Sequence, residues 1–170
     1  MHPHDSAYAL PTPYPPIDQV HPNGCDLTMA YDLYAGGISE YTAIAQYVYH
    51  HLYAREQGFE ALEKEFLSIA IVEMRHLALL GSLILKLGGA PKFVSPTKQG
   101  YTPWNATLID YGCGLKDMIL LDVKSEQAAI CDYLHGAKCT QQAQIAALLQ
   151  RISQDEELHL QAFTQMLHSI

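Results

Sequence analysis

The chain has 170 residues, and its 49% hydrophobic content suits one well-cored domain. Its formal net charge is −8, from 18 acidic and 10 basic residues, and it has no Lys/Arg cluster to hold phosphates. This balance argues against nucleic acid as a partner. The apolar run 66–85 has charged residues at its centre, so we expect no membrane span. No signal peptide pattern is visible, and we expect a cytoplasmic protein.

Residues 1–25 contain six of the nine prolines and are predicted to form an extended arm. His2, His4 and His21 lie in this arm, and we expect them to be solvated rather than to bind metal. The four cysteines form no C-x-x-C pair and cannot supply a Cys₄ iron site. We expect them to be reduced thiols at buried positions: Cys25, Cys113, Cys131 and Cys139.

The first predicted helix spans 26–57 and contains Glu40 as the only charged residue between positions 33 and 49. Tyr47 lies almost two turns further on and shares the face of Glu40. Gly36 and Gly37 lower helix propensity, so we expect a neighbouring helix to pack closely there.

The second predicted helix spans 60–87 and is apolar over most of its circumference. Glu73 and His76 lie three residues apart and therefore side by side on one face. A buried carboxylate costs several kcal/mol unless it has a strong partner, and Glu-x-x-His is a ligand spacing for a divalent metal.

A connection of about 25 residues follows, which is too long for neighbouring antiparallel helices, since these usually need about 2–8. We expect it to cross the end of a bundle and to place the next helix parallel to its predecessor. The third predicted helix, 115–136, contains Glu126 and Tyr133, and the fourth, 140–168, contains Glu156 and His159.

The two halves of the chain therefore repeat one pattern: a glutamate with a tyrosine seven residues later, then a Glu-x-x-His pair. Two such hairpins joined by a crossover predict an all-α four-helix bundle over 26–170, with pseudo-twofold symmetry. The symmetry brings four carboxylates and two imidazoles to the centre, where Glu73 and Glu156 would bridge two metal ions. The six predicted ligands are Glu40, Glu73, His76, Glu126, Glu156 and His159.

This set of motifs resembles the ferritin-like superfamily, particularly rubrerythrins and bacterioferritins, with manganese catalases as relatives. The resemblance implies two iron or manganese ions per chain and hydrogen peroxide or dioxygen as substrate. It also implies that Tyr47 and Tyr133 lie near the metals and hydrogen-bond the terminal glutamates.

The resemblance has departures. The four cysteines do not form the Cys₄ motif of rubrerythrins, so we expect that a peroxidase would need a separate electron donor. Rubrerythrins also carry an extra glutamate at the position of Ala129, which makes this carboxylate set more similar to that of bacterioferritin. The resemblance favours a di-metal peroxidase, oxidase or catalase-like enzyme. The alternatives are ferroxidase activity with iron storage, iron binding without turnover, and a bundle whose metal serves only folding.

The apolar surface predicts a homodimer. One bundle interior can cover only part of the second helix, and Tyr41, Tyr49 and Tyr53 lie off the Glu40 face of the first. We expect the proline-rich arm to lie across the partner subunit.

Overall fold

The computed structural model describes residues 7–170 and contains a bundle of four long helices made of two hairpins. The predicted four-helix bundle of two helical hairpins with a long crossover is thereby confirmed. A shorter helix, α1, precedes the bundle, whose hairpins are α2/α3 and α4/α5. The helices are α1 (Gly24–Ala35), α2 (Glu40–Glu56), α3 (Glu60–Lys86), α4 (Leu115–Cys139) and α5 (Ala143–His168).

The prediction of one continuous first helix is wrong, because the chain breaks between α1 and α2. The Gly36 amide donates to the Asp32 carbonyl at 2.8 Å, and a Cβ on Gly36 would collide with that oxygen. Ser39 then caps α2, its hydroxyl accepting from the Thr42 amide at 3.3 Å. The glycine therefore serves this turn rather than the packing of a neighbouring helix. As a result, Glu40 begins α2 at the positive end of the helix dipole.

Helix α3 is the core helix of the bundle. Its length and a mean hydropathy of 1.6 over its most apolar window would suffice to cross a membrane, but half of that window is buried inside the fold. Phe66 and Ile69 belong to one apolar core cluster and Leu80 and Leu83 to another. Glu73 lies between these clusters along the helix, so its surroundings have a low dielectric constant.

The crossover between the hairpins contains a short antiparallel β-hairpin that the sequence pattern did not predict. Strands β1 (Val94–Thr97) and β2 (Gly100–Pro103) pair with Val94 opposite Pro103. The indole N–H of Trp104 donates to the Thr42 hydroxyl at 2.9 Å, which fastens the crossover to the start of α2.

From residue 7 onward, the proline-rich arm lies along its own bundle and runs antiparallel to α5. Near its start the Leu10 amide donates to Asp155, and further on the Gln19 amide donates to Gln144. The His21 imidazole is exposed. His2 and His4 lie outside the described residues.

The cysteines do not fill buried positions, so that expectation is wrong. All four are free and exposed, including Cys131, which faces outward from α4.

Candidate metal centre

The structure brings together the two Glu-x-x-His pairs of α3 and α5. The Nδ1 atom of His76 lies 3.0 Å from Glu73 Oε2 and 3.0 Å from Glu156 Oε1. The Nδ1 atom of His159 lies 2.8 Å from Glu156 Oε2 and 3.0 Å from Glu73 Oε1. Each of the two glutamates thus presents one oxygen to each imidazole, as bridging ligands do.

The glutamates of α2 and α4 complete the two ends of the cluster. Glu40 Oε2 lies 3.7 Å from His76 Nδ1, and Glu126 Oε1 lies 3.8 Å from His159 Nδ1. All six predicted residues therefore fall into two overlapping groups, within each of which the potential ligand atoms lie no more than 4.8 Å apart. The groups are Glu40, Glu73, His76 and Glu156, and Glu73, Glu126, Glu156 and His159.

The two tyrosines bind the terminal glutamates in a crossed arrangement. The Tyr47 hydroxyl donates to Glu126 Oε1 at 2.5 Å, and the Tyr133 hydroxyl donates to Glu40 Oε1. Each tyrosine therefore serves the glutamate of the other hairpin, although the spacing in sequence pairs it with the glutamate of its own helix.

Burial and charge make this cluster suitable for divalent cations. The six side chains are at most 4% exposed, and four carboxylates carry −4, which two divalent cations balance with +4. Glu156 Oε1 is buried and, among residues 7–170, has no hydrogen-bond partner of acceptable geometry. A carboxylate oxygen left in this state is stabilised by a cation. The donor set of carboxylates and imidazoles fits iron or manganese.

Without cations the cluster holds protons. Burial raises the pKa of Glu40 and of Glu126 well above the ordinary value, and the neighbouring carboxylates add to the effect. Burial alone would lower the pKa of His76 and His159, but the surrounding carboxylates outweigh it and raise both well above 6.5. Burial would raise the pKa of Glu73, but the two imidazoles outweigh it and lower that pKa. Protons and metal ions therefore compete for the same atoms.

The outer nitrogens of both histidines have partners that the sequence patterns did not indicate. His76 Nε2 lies 3.2 Å from Asp155 Oδ2 and 3.2 Å from the Tyr14 hydroxyl. His159 Nε2 lies 2.9 Å from the carbonyl oxygen of Tyr8, which can only accept a hydrogen bond. In the neutral imidazole this places the proton on Nε2 and the lone pair on Nδ1, toward the carboxylates.

A second buried polar cluster lies one helical turn from Glu126. His50 Nδ1 lies 2.8 Å from Asp122 Oδ2, and the Gln46 amide donates to Asp122 Oδ1 at 2.7 Å. Burial raises the pKa of Asp122, although His50 and Gln46 oppose it. His50 belongs to neither ligand group, and it is fully buried. Asp122 was missed, although its position four residues before Glu126 places it on the same helical face.

A small cavity reaches the cluster from the glutamate side. Its volume is about 20 Å³, and its lining includes all four glutamates and both tyrosines, while neither histidine is among the lining residues of the described chain. Four other lining residues occupy equivalent positions in the two hairpins, one residue before and three residues after Glu40 and Glu126. These residues are Ser39, Ala43, Ser125 and Ala129.

A bundle with one glutamate from each of two helices and a Glu-x-x-His pair from each of the other two defines the ferritin-like class of carboxylate proteins. The model of the Ferritin family, described as a ferritin-like domain, matches residues 39–170, and the chain belongs to this family. No match was found among curated proteins.

Solved structures show the same fold. KatB, a manganese catalase from Anabaena PCC7120, aligns with a TM-score of 0.82 and 20% identity over 93% of this chain and 78% of that chain. Mycobacterium tuberculosis bacterioferritin BfrA aligns with a TM-score of 0.72 and 24% identity over 88% of this chain and 87% of that chain. Desulfovibrio desulfuricans bacterioferritin, described with a diiron site, aligns with a TM-score of 0.71 and 25% identity over 85% of this chain and 78% of that chain.

Proposed function

We propose that the chain is a non-haem di-metal oxidoreductase that acts on hydrogen peroxide or dioxygen. The cavity carries this proposal. Its volume of about 20 Å³ exceeds the roughly 10–15 Å³ that one water requires, so a molecule of about that size fits inside it. It touches all four carboxylates, so a small molecule inside it lies next to the metal positions.

The two overlapping groups of residues support this proposal. Glu73 and Glu156 belong to both groups and would contact both ions, Glu40 and His76 would hold one ion, and Glu126 and His159 would hold the other. When bound, two iron or manganese ions would polarise the O–O bond and exchange the electrons that its cleavage requires. The hydroxyls of Tyr47 and Tyr133 orient the terminal carboxylates, and apolar core clusters lie on both sides of the site.

Disproportionation of peroxide is the version that this chain can complete without a partner. One peroxide loses two electrons and two protons to become dioxygen, and a second peroxide accepts them and gives two waters. The likeness to the manganese catalase KatB over 93% of the chain supports this version. A peroxidase would need a separate electron donor.

Ferroxidase activity or iron storage is the second candidate. The 25% identity with a bacterioferritin whose diiron site is described favours it. In that case the cluster oxidises Fe²⁺ as its substrate and consumes dioxygen, and storage further requires a hollow multi-subunit shell.

The test is a three-way assay of protein loaded separately with Mn²⁺ and with Fe²⁺. Dioxygen release from peroxide indicates a catalase, peroxide consumption that depends on added reductant indicates a peroxidase, and Fe²⁺ oxidation under dioxygen indicates a ferroxidase. If protein that holds two manganese ions and protein that holds two iron ions both lack all three activities, the enzymatic proposal is rejected and the metal is structural.

The cavity is tested by the variant Ala129→Leu, with Ala128→Leu as the matched control. Both alanines are half-buried on α4, but only Ala129 lines the cavity. The larger side chain should lower turnover by at least roughly tenfold, equivalent to about 1.4 kcal/mol, with unchanged metal content. Equal turnover in the two variants would show that the substrate does not enter through this cavity.

A further inference from the structure

The pseudo-twofold symmetry of the bundle is broken at the outer nitrogens of the two histidines. His76 meets the carboxylate of Asp155, the residue immediately before Glu156 on α5. The equivalent residue before Glu73 on α3 is Val72, which is buried and apolar. The bundle thus provides an acidic partner for one imidazole and none at the equivalent position for the other.

The N-terminal arm supplies the partner that the bundle lacks. The Tyr8 carbonyl accepts from His159 Nε2 at 2.9 Å. Two residues further on, the Leu10 amide donates to Asp155 Oδ1 at 2.7 Å, and the Leu10 carbonyl accepts from the Arg151 guanidinium at 2.8 Å. Leu10 therefore anchors the arm to α5 two residues away from Tyr8, the residue that contacts His159.

Further contacts hold the arm over the His76 side. Arg151 donates to the Thr12 carbonyl at 2.9 Å, pairs with Asp155 at 2.7 Å, and lies 4.5 Å above the Tyr14 ring. The Tyr14 hydroxyl donates to Asp155 at 2.7 Å. Prolines 11, 13, 15 and 16 lack N–H donors and restrict the chain to an extended path, which suits a segment bonded through its carbonyls.

We propose that the N-terminal arm is part of the metal centre: it positions His159 through the Tyr8 carbonyl and makes the two metal positions unequal. This inference rests on the metal assignment proposed above. A carboxylate acceptor increases the basicity of an imidazole more than a neutral carbonyl does, so the His76 position binds its ion more tightly. The His159 position depends on the docked arm.

The test compares two truncations in the otherwise complete chain. Removal of residues 1–9 deletes the Tyr8 carbonyl, whereas removal of residues 1–6 retains it and is the matched control. Mn²⁺ titration by calorimetry should show two bound ions for the full chain and the control. In the longer truncation, one ion should bind about 10–100-fold more weakly, the usual effect of losing an outer partner of a ligand.

The location of the remaining ion shows whether the arm positions His159 or whether its removal loosens the whole metal centre. Spin resonance of the truncated protein with one Mn²⁺ should show an isolated ion, and His76→Ala added to the truncation should abolish its tight binding, whereas His159→Ala should not. Two ions bound with full affinity after truncation, or equal weakening of both, would overturn the inference. A full-length chain that binds no ion pair would instead reject the metal assignment.

A reciprocal variant covers the case in which the longer truncation does not fold. Asp155→Asn in the full-length chain turns an amide donor toward His76 while Tyr8 remains in place. It should weaken the tighter ion and leave the other, so that the two affinities converge. Equal loss of both ions, or no loss, would contradict the proposed division of roles.

Discussion

The Tyr47 hydroxyl on α2 donates a 2.5 Å hydrogen bond to Glu126 on α4, in the other hairpin. In the opposite direction, the Tyr133 hydroxyl on α4 donates a hydrogen bond to Glu40 on α2. Each terminal carboxylate is therefore held by a tyrosine from the opposite hairpin. The exchange links correct association of the hairpins to correct placement of the carboxylates.

Tyr47→Phe should destabilise the metal-free protein. The substitution keeps the ring in its core cluster but removes a donor to a buried carboxyl group, which should cost about 1–3 kcal/mol of unfolding free energy. Urea denaturation measures this loss. Tyr49→Phe, on the same helix at a half-buried position, is the control and should change stability by less. Equal losses in both variants would show that the bond to Glu126 contributes nothing specific.

The six clustered residues could be predicted because their arrangement follows from local spacing. A helix places residues three apart side by side, so each Glu-x-x-His pair was determined before any packing was known. The repeat of this pattern then indicated two hairpins. The residues that depend on tertiary contacts were missed: Asp155 precedes Glu156 in an acidic run, and no spacing within that run indicates its contact with His76, although only Glu157 in the run is exposed.

Other features could not be predicted because they depend on how distant segments meet. The crossing of Tyr47 and Tyr133 follows from the geometry between hairpins, which spacing within one helix does not describe. The path of the arm follows from carbonyl contacts to Arg151, which no side-chain pattern reveals. The break after α1 had a visible signal in Gly36 and Gly37, but the glycines alone did not distinguish a turn from close packing.

The metal-free protein should lose stability as pH rises from 6 to 9. The pKa values of His76 and His159 are raised in the fold, so their stabilisation is present below the ordinary value of 6.5 and is lost at higher pH. The pKa values of Glu40 and Glu126 are also raised, so their contribution to stability likewise decreases as the pH rises above the ordinary carboxyl pKa of 4.5. Thermal melting in EDTA measures this trend, and a melting temperature that increases over this range would contradict it.

Metal should reverse this trend, because deprotonated ligands bind cations more tightly. The increase in melting temperature on adding Mn²⁺ should therefore grow from pH 6 to pH 9.

Glu126→Gln places a neutral amide at a buried carboxyl position and should stabilise the metal-free protein at pH 8. Glu157→Gln, at an exposed position on α5, is the control and should have little effect.

The outer face of α3 is expected to be the interface of a homodimer. Leu67, Ile71, Met74 and Leu85 are 37%, 45%, 45% and 60% exposed and recur at the spacing of one helical face. Light scattering should give a mass near twice the 18.9 kDa of the chain. Ile71→Asp should yield monomers, whereas Gln154→Asp, at an exposed position on α5, should not.

A species of several hundred kDa would reject the dimer. It would also make iron storage the leading function, since storage requires a shell of many subunits.

Metal analysis of reconstituted protein measures whether the six clustered residues hold two metal ions per chain. The wild-type chain should contain two iron or two manganese ions. Glu73→Ala and Glu156→Ala should each reduce the content of both ions together, because each residue faces both imidazoles. Glu157→Ala should retain two. Normal metal content in either bridging variant would contradict the assignment.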